Sequence, residues 1–361
     1  MKMRKIVCSF MISVVCFMTA ISGVSATSYD TSKINAAYSK VVEYYKNNNN
    51  LNNADKILAV ESLGLEAESN QFDTSSANLS STSLSKKIVT EVLLGVDPTK
   101  DKETLESQID ENGNVEGSWG ASSDIWTLYA LYATSSEKTN LLADKLNTDL
   151  ASSSVCGYEW GGTYYADYDT TGWVIEGLAV VNKEKYATTI NKAIDYIKNN
   201  TTMTTTGWVT ADNVDTQSQV LEGMFAYDTN ALLNDSYAVH PVDCLLNTQL
   251  SDGSFPSGYN AEYTTAEVAK TLGTYKNGSV IIKAKKAYDK MMNPEQPDNT
   301  KPAQPTDTKK DSQSTNKVET TNQKTTSVKT GDETNVVIFV SLSMVSGGLF
   351  LVLRKEYERV H

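Results

Sequence analysis

The chain has 361 residues, a formal net charge of −12 and two histidines, one of them the terminal His361. An acidic chain repels phosphate backbones, so no nucleic-acid partner is expected. A single histidine in the body of the chain, His240, excludes a three-His metal site and leaves little room for His-based triads.

Lys2, Arg4 and Lys5 precede an apolar run from Ile6 to Ile21, and Val24-Ser25-Ala26 offers small residues before a cut. Residues 1–26 therefore read as a secretory signal peptide. Cys156 and Cys244 lie beyond it, an even pair in an exported chain, and spacing alone does not decide whether they pair. Helices are predicted at 31–47, 53–64, 82–95 and 101–109.

From residue 110 the chain repeats. Four segments align without gaps, starting at Ser122 (SSDIWTLYAL), Asp169 (DTTGWVIEGL), Asp215 (DTQSQVLEGM) and Tyr263 (YTTAEVAKTL), at spacings of 47, 46 and 48. Each has Ser, Thr or Asp in its first two residues, the types that cap helix N-termini. Each continues as an apolar helix with few charges, the pattern of a helix buried on most sides. An amphipathic partner follows, as in 183–199, where Tyr186, Ile190, Ile194 and Ile197 share one face. A glycine–aromatic turn precedes each segment: Gly117-Ser118-Trp119, Glu159-Trp160-Gly161, Gly207-Trp208 and Gly253-Ser254-Phe255. Repeats of this length are stacked helical hairpins. About twelve helices in six hairpins can close into a ring, which removes the exposed ends of an open solenoid.

The turn from Gln249 to Phe255, followed by a Thr-capped apolar helix, resembles the prenyltransferase and squalene-cyclase repeats of the terpenoid cyclase superfamily. The resemblance implies an all-α fold, an (α/α)6 toroid over 27–292, and is carried mainly by 110–292. It also implies that the inner-helix N-termini and their turns share one rim. The aromatics there are Trp119, Trp160, Tyr164, Tyr165, Tyr168, Trp208, Phe255 and Tyr259. For Trp119, Trp160, Trp208 and Phe255, which recur with the repeat, packing between hairpins is the plainer expectation. The stretch from Thr163 to Tyr168 does not recur. Trp160, Tyr164, Tyr165, Tyr168, Trp208 and Tyr259 are the aromatic ligand-binding candidates, since Tyr and Trp suit sugar rings, flat ligands and protein hot spots. Glu176 and Glu222 hold one position in adjacent repeats. Carboxylates in apolar helices need a partner or a wet cavity, so both are expected to face the centre and meet ligand, water, helix ends or Tyr hydroxyls.

An enzymatic alternative rests on Asp167-Tyr168-Asp169-Thr170-Thr171, which resembles the Asp-x-Asp-Asp motif of squalene-type cyclases. The resemblance makes Asp169 the proton donor, raised by Asp167; Thr170 departs from the family's last Asp. Prenyltransferases hold zinc with Asp, Cys and His. His240, Asp243 and Cys244 have a suitable spacing, but Pro241 marks His240 as a helix start, and neither metal nor cofactor is expected. Cys156-Gly157-Tyr158-Glu159 lacks the Gln of an internal thioester. Corrinoid carriers share a similar toroid, under a second small domain not read in this sequence.

Residues 293–328 carry Pro294, Pro297, Pro302 and Pro305 among Thr, Lys and Gln. They read as a disordered wall spacer, too poor in large apolar residues to fold. Next come Ser327-Val328-Lys329-Thr330-Gly331, an apolar run over 336–353 long enough to span a bilayer, and the basic Arg354, Lys355 and Arg359. The order resembles the sortase sorting signals of Gram-positive bacteria, with Ser327-Val328 in place of Leu-Pro. It implies cleavage between Thr330 and Gly331, with Thr330 joined to peptidoglycan. The expected protein is exported, wall-attached by sortase through 329–361, and binds a small molecule, glycan or protein partner.

Overall fold

A computed structural model of the chain describes residues 29–68, 79–202 and 213–294. The expected signal peptide, most of the spacer, the sorting signal with Thr330 and Gly331, the span 336–353 and Trp208 all lie outside the described residues. The described fold is all-α apart from one two-stranded hairpin: α1 (Ser32–Asn47), α2 (Ala54–Ser62), α3 (Ser81–Leu93), α4 (Thr99–Ser107), α5 (Ala121–Ala133), α6 (Thr139–Ser153), β1 (Gly157–Trp160), β2 (Thr163–Ala166), α7 (Tyr168–Asn200), α8 (Val214–Asn234), α9 (Pro241–Leu246), α10 (Ala261–Asn277) and α11 (Val280–Met292). No helix among the described residues is long and apolar enough to cross a membrane.

The helices fall into two kinds. α2, α3, α5, α10 and the first halves of α7 and α8 are buried nearly all round; in α5 every residue from Ser123 to Leu131 is buried. The others bury a single stripe, such as Leu142, Leu146 and Leu150 of α6, four residues apart on one face. The two kinds alternate within the repeat. Contacts between the buried helices run in sequence: α2 with α3, α3 with α5, α5 with α7, α7 with α8, α8 with α10, and α10 with α2. Glycine permits the closest of these approaches. A Cβ on Gly172 of α7 would sit 2.4 Å from the Gln219 carbonyl of α8, and one on Gly223 would sit 2.3 Å from the Gly172 carbonyl.

The switch from buried helix to surface helix takes one residue. Asn182 breaks α7 with φ −163° and ψ 90°, and Asp228 breaks α8 with φ −155° and ψ 90°. Each then caps the helix that follows. Asn182 Oδ1 accepts the Lys185 N–H at 3.0 Å, and Asp228 Oδ1 accepts the Ala231 N–H at 2.9 Å. α7 and α8 are thus each two helices joined by a single extended residue.

The expected caps are corrected. The cap positions lie upstream of the aligned segments, at Gly120, Asp167, Asn213 and Asn260. First-turn hydroxyls bind the preceding turn instead. The backbone N–H groups of Trp119, Cys156 and Phe255 donate to Ser123 Oγ (3.2 Å), Thr171 Oγ1 (2.9 Å) and Thr265 Oγ1 (3.0 Å). Phe255 is fully buried, as its packing role requires, whereas Trp119 is 89% exposed and does not pack between hairpins. Its turn is held by Ser118 and Ser123 rather than by its ring.

The β-hairpin interrupts the helical pattern between α6 and α7. Gly161 and Gly162 both have positive φ (59° and 78°), which a two-residue type I′ turn demands. The antiparallel register pairs Tyr158 with Tyr165 and Glu159 with Tyr164. Cys156 and Cys244 are free thiols. Burial pushes the Cys156 thiol up to about 12, which makes it inert.

Candidate functional site

Two sets of side chains are the candidates for function. The first is a buried polar column, built by equal positions of the repeat. Four residues after each segment start stand Trp126, Trp173, Gln219 and Glu267; seven after it stand Tyr129, Glu176, Glu222 and Lys270. These spacings put both sets on one face of each helix, in two layers. In the lower layer Tyr129 Oη donates to Glu176 Oε2 at 2.8 Å, and Ser279 Oγ, the cap of α11, donates to Glu176 Oε1 at 2.6 Å. Thr274 Oγ1 donates to Glu222 Oε1 at 3.3 Å. Lys270 Nζ lies 2.9 Å from Glu267 Oε2 and 3.8 Å from Glu222 Oε2. In the upper layer Gln219 Nε2 donates to Glu267 Oε2 (3.2 Å), and lies 3.3 Å from the Tyr263 hydroxyl. The Trp126 and Trp173 rings meet edge to face, 5.6 Å apart. Lys86 Nζ stands 4.3 Å from the Trp126 centroid and 2.7 Å from Asp55 Oδ1.

Charge in this column does not balance. Glu176, Glu222 and Glu267 face one ammonium, Lys270, and all four are buried. Burial pushes Glu222 well above the usual carboxylate range, with Glu176 and Glu267 adding to it against Lys270. Burial also raises Glu176, against the hydrogen bonds from Ser279 and Tyr129. Burial alone would lower Lys270, but Glu267 and Glu222 outweigh it and keep the ammonium charged. Several buried atoms here make no hydrogen bond among the described residues: Trp173 Nε1, Gln219 Oε1 and Glu267 Oε1 in the upper layer, and Glu222 Oε2 below. Each such group costs about 1–3 kcal/mol if left unsatisfied.

Above the column, burial pushes half-buried Asp169 up to about 7, with Asp167 and Asp215 adding to it and a Thr216 hydrogen bond opposing. Asp167 is the cap of α7. It accepts the Thr170 N–H at 3.0 Å and the Thr170 hydroxyl at 2.6 Å, so both its oxygens are engaged. Asp215 accepts the Tyr259 hydroxyl.

The second set stands on the hairpin and on the turns before α5 and α10. Tyr158 and Tyr165 stack across the strands with centroids 5.6 Å apart and remain 60% and 40% exposed. Tyr164 hydrogen-bonds the Val155 carbonyl at 2.9 Å and lies over Gly157, where a Cβ would come within 2.7 Å of its ring. Trp119 and Tyr259 are exposed on the turns before α5 and α10. Tyr168 is half-buried, and its hydroxyl reaches the Asn200 carbonyl at 3.5 Å, at the far end of its own helix. Trp160 pairs with Thr163 in the backbone register. His240 caps α9, its Nδ1 accepting the Val242 N–H at 3.2 Å.

The structure thus brings Glu176 and Glu222 into one column, and sets Tyr164 and Tyr165 on one hairpin. Sequence reasoning missed Tyr129, Gln219, Glu267, Lys270 and Tyr158. The first four were accessible from the alignment itself, because they occupy the same columns as Trp126, Trp173, Glu176 and Glu222. No family model matches this chain, and no curated protein or solved structure matches it either.

Proposed function

We propose that the chain is a wall-attached surface protein whose helical domain, an (α/α)6 toroid, presents an aromatic rim to a glycan or protein partner. Support for the ring is the cyclic order of contacts from α2 through α10 back to α2. The motif order at 327–359 supports sorting, with sortase and peptidoglycan as the partners of export. A single observation carries the binding reading. Among the described residues the β1–β2 hairpin is the element that breaks the helical repeat, and it holds a stacked tyrosine pair exposed to solvent; Trp119 and Tyr259 are exposed as well. Rigid aromatics presented outward give large contact area at low entropic cost. The interior, filled by the charged column, leaves the rim as the broad contact surface.

Two measurements test this. Thr330→Ala should release the chain from the wall fraction into the membrane or medium; unchanged wall attachment would end the sorting reading. Cells displaying the chain should bind glycan- or protein-coated surfaces, and the double variant Tyr158→Ala/Tyr165→Ala should lose that binding. Equal binding by wild type and variant would place the contact elsewhere. In the enzymatic alternative Asp169 would be the proton donor, since both Asp167 oxygens are engaged at its cap.

A further inference from the structure

A cavity of about 280 Å³ lies where the end of α1 and the turn after it meet the first turns of α2 and α10. It is lined by Tyr44 and Tyr45 of α1, four consecutive asparagines at 47–50, Lys56 and Glu262. A second cavity, of about 80 Å³, shares Lys56 and Glu262 with it and adds Asp55 and Asn260. None of these residues lies on the hairpin.

One group in the wall is left without a partner. Tyr45 is only 4% exposed, and its hydroxyl makes no hydrogen bond among the described residues. Burial raises this phenol, and the charges of Asp55 and Glu262 add to the rise, so its oxygen is turned toward the first turns of α2 and α10. A buried tyrosine hydroxyl ordinarily finds a partner, and the cavity is where one can enter.

The chemistry of the occupant follows from the other walls. Every charge on them is already paired. Lys56 Nζ lies 2.8 Å from Glu262 Oε2, and Lys86 Nζ lies 2.7 Å from Asp55 Oδ1. An ion would have to compete with one of these pairs, so the cleft suits a neutral molecule. What remains is amide and phenol. Asn47 and Asn48 each donate one N–H inside the last turns of α1, to Glu43 Oε1 at 3.4 Å and to the Tyr44 carbonyl at 2.8 Å. Their side-chain oxygens, and the whole carboxamide of Asn50, make no hydrogen bond among the described residues. A carboxamide offers both donor and acceptor, and a hydroxyl does the same. Several carboxamides side by side therefore match a ring that carries several hydroxyls. The half-buried Tyr44 adds an aromatic surface of the kind that meets both water and a ligand ring. The volume, about 280 Å³, stands at the lower edge of ligand pockets, roughly 300–1,000 Å³, which suits one or two such rings.

We propose that this cleft holds a neutral sugar ring, a unit of a glycan, with the carboxamides of 47–50 bonding its hydroxyls and the Tyr45 hydroxyl bonding the one that reaches deepest. The site does not rest on the hairpin reading.

Ligand-observed NMR titration of the full-length chain with glucose, galactose, mannose and N-acetylglucosamine tests it, with a glucose phosphate and glucosamine as charged probes. At least one neutral sugar should bind, and both charged probes should bind more weakly than it does. Asn47→Ala/Asn50→Ala should weaken that sugar at least tenfold. Tyr45→Phe should weaken it about three- to tenfold, the worth of one hydrogen bond. It should do so without lowering the melting temperature, because the hydroxyl has no partner within the described chain, and it keeps the test open if the asparagine variant fails to fold. Tyr158→Ala/Tyr165→Ala should leave sugar binding unchanged, so loss of adhesion in that variant and loss of sugar in these are separate results. The inference is overturned if no neutral sugar of the set binds at tens of millimolar, if the charged probes bind as well as the neutral ones, if either cleft variant, folded, binds the sugar like wild type, or if the hairpin variant loses it.

Discussion

The polar column and the aromatic hairpin are opposite solutions to placing costly groups. In the column, Glu176, Glu222, Glu267 and Lys270 are withdrawn from water and must satisfy one another. On the hairpin, Tyr158 and Tyr165 are large apolar rings left in water, where nothing in the fold needs them. Buried charge makes the column strongly coupled to folding; exposed rings make the hairpin nearly independent of it. Groups a fold does not need are the ones free to serve a partner, and groups it needs can serve a ligand only by sharing their bonds.

The sharpest break in this contrast is Lys270→Met. It leaves Glu267, its partner at 2.9 Å, buried without a cation, and removing one partner of a buried ion pair costs about 3–5 kcal/mol. Chemical denaturation should show a loss of that size at neutral pH. A loss below ~1 kcal/mol would mean that the column is hydrated and behaves like a surface.

Acidity should act on the column next most strongly. Glu176 and Glu222 of the column, Asp169, and Glu91, a buried residue of α3 paired with Lys87, all hold their protons more tightly in the folded chain than in the unfolded one, chiefly through burial. A folded state that binds more protons loses stability as pH rises. The loss begins in the ordinary carboxylate range, at pH ~4, and continues through about 7, where Asp169 and Glu91 titrate. His240 opposes it, since burial lowers its basicity and the folded state gains as pH rises toward the usual histidine range. One group stands against four, so thermal unfolding should be several degrees higher at pH 5 than at pH 8. Glu222→Gln should flatten that difference. A midpoint that rises with pH over this interval would contradict the protonated column.

A smaller effect is expected from Tyr129→Phe. It removes the hydroxyl that donates to Glu176 and leaves a buried acceptor short of a partner, a cost of about 1–3 kcal/mol. Because that hydroxyl also opposes the rise of Glu176, its loss should steepen the pH dependence. A variant as stable as wild type with an unchanged pH profile would detach Tyr129 from the column.

How much of this was legible in the sequence differs by region, for physical reasons. The helices were legible because apolar periodicity is local: 31–47 and 53–64 became α1 and α2 nearly as read. Glu176 and Glu222 stood out because a carboxylate in an apolar helix is itself a local anomaly. Lys270 did not, because its meaning depends on which helices become neighbours, and α8 meets α10 only through the repeat. Trp119 was misjudged for the opposite reason. Recurrence with the period suggested packing, yet the Ser118 and Ser123 hydroxyls hold that turn without the ring. The hairpin was read as a non-recurring stretch but not as strands. Gly161-Gly162 between alternating tyrosines was the available signal.

The smallest stability effect carries the most functional weight. Tyr158→Ala/Tyr165→Ala removes one cross-strand aromatic pair, worth about 0.2–1 kcal/mol. Both rings are substantially exposed, so little buried area goes with them. The Gly161-Gly162 turn and the bond from the Asp167 N–H to the Cys156 carbonyl at 2.7 Å remain to hold the hairpin on α7. The melting temperature should therefore fall by no more than about 2–4 °C, while adhesion of the displayed chain is lost. If the double variant instead destabilises the chain as much as Lys270→Met, the tyrosines brace α7 and the contrast between the regions disappears. If it changes neither stability nor adhesion, exposure of the rings has no bearing on what the protein binds, and Trp119 and Tyr259 become the surfaces to change.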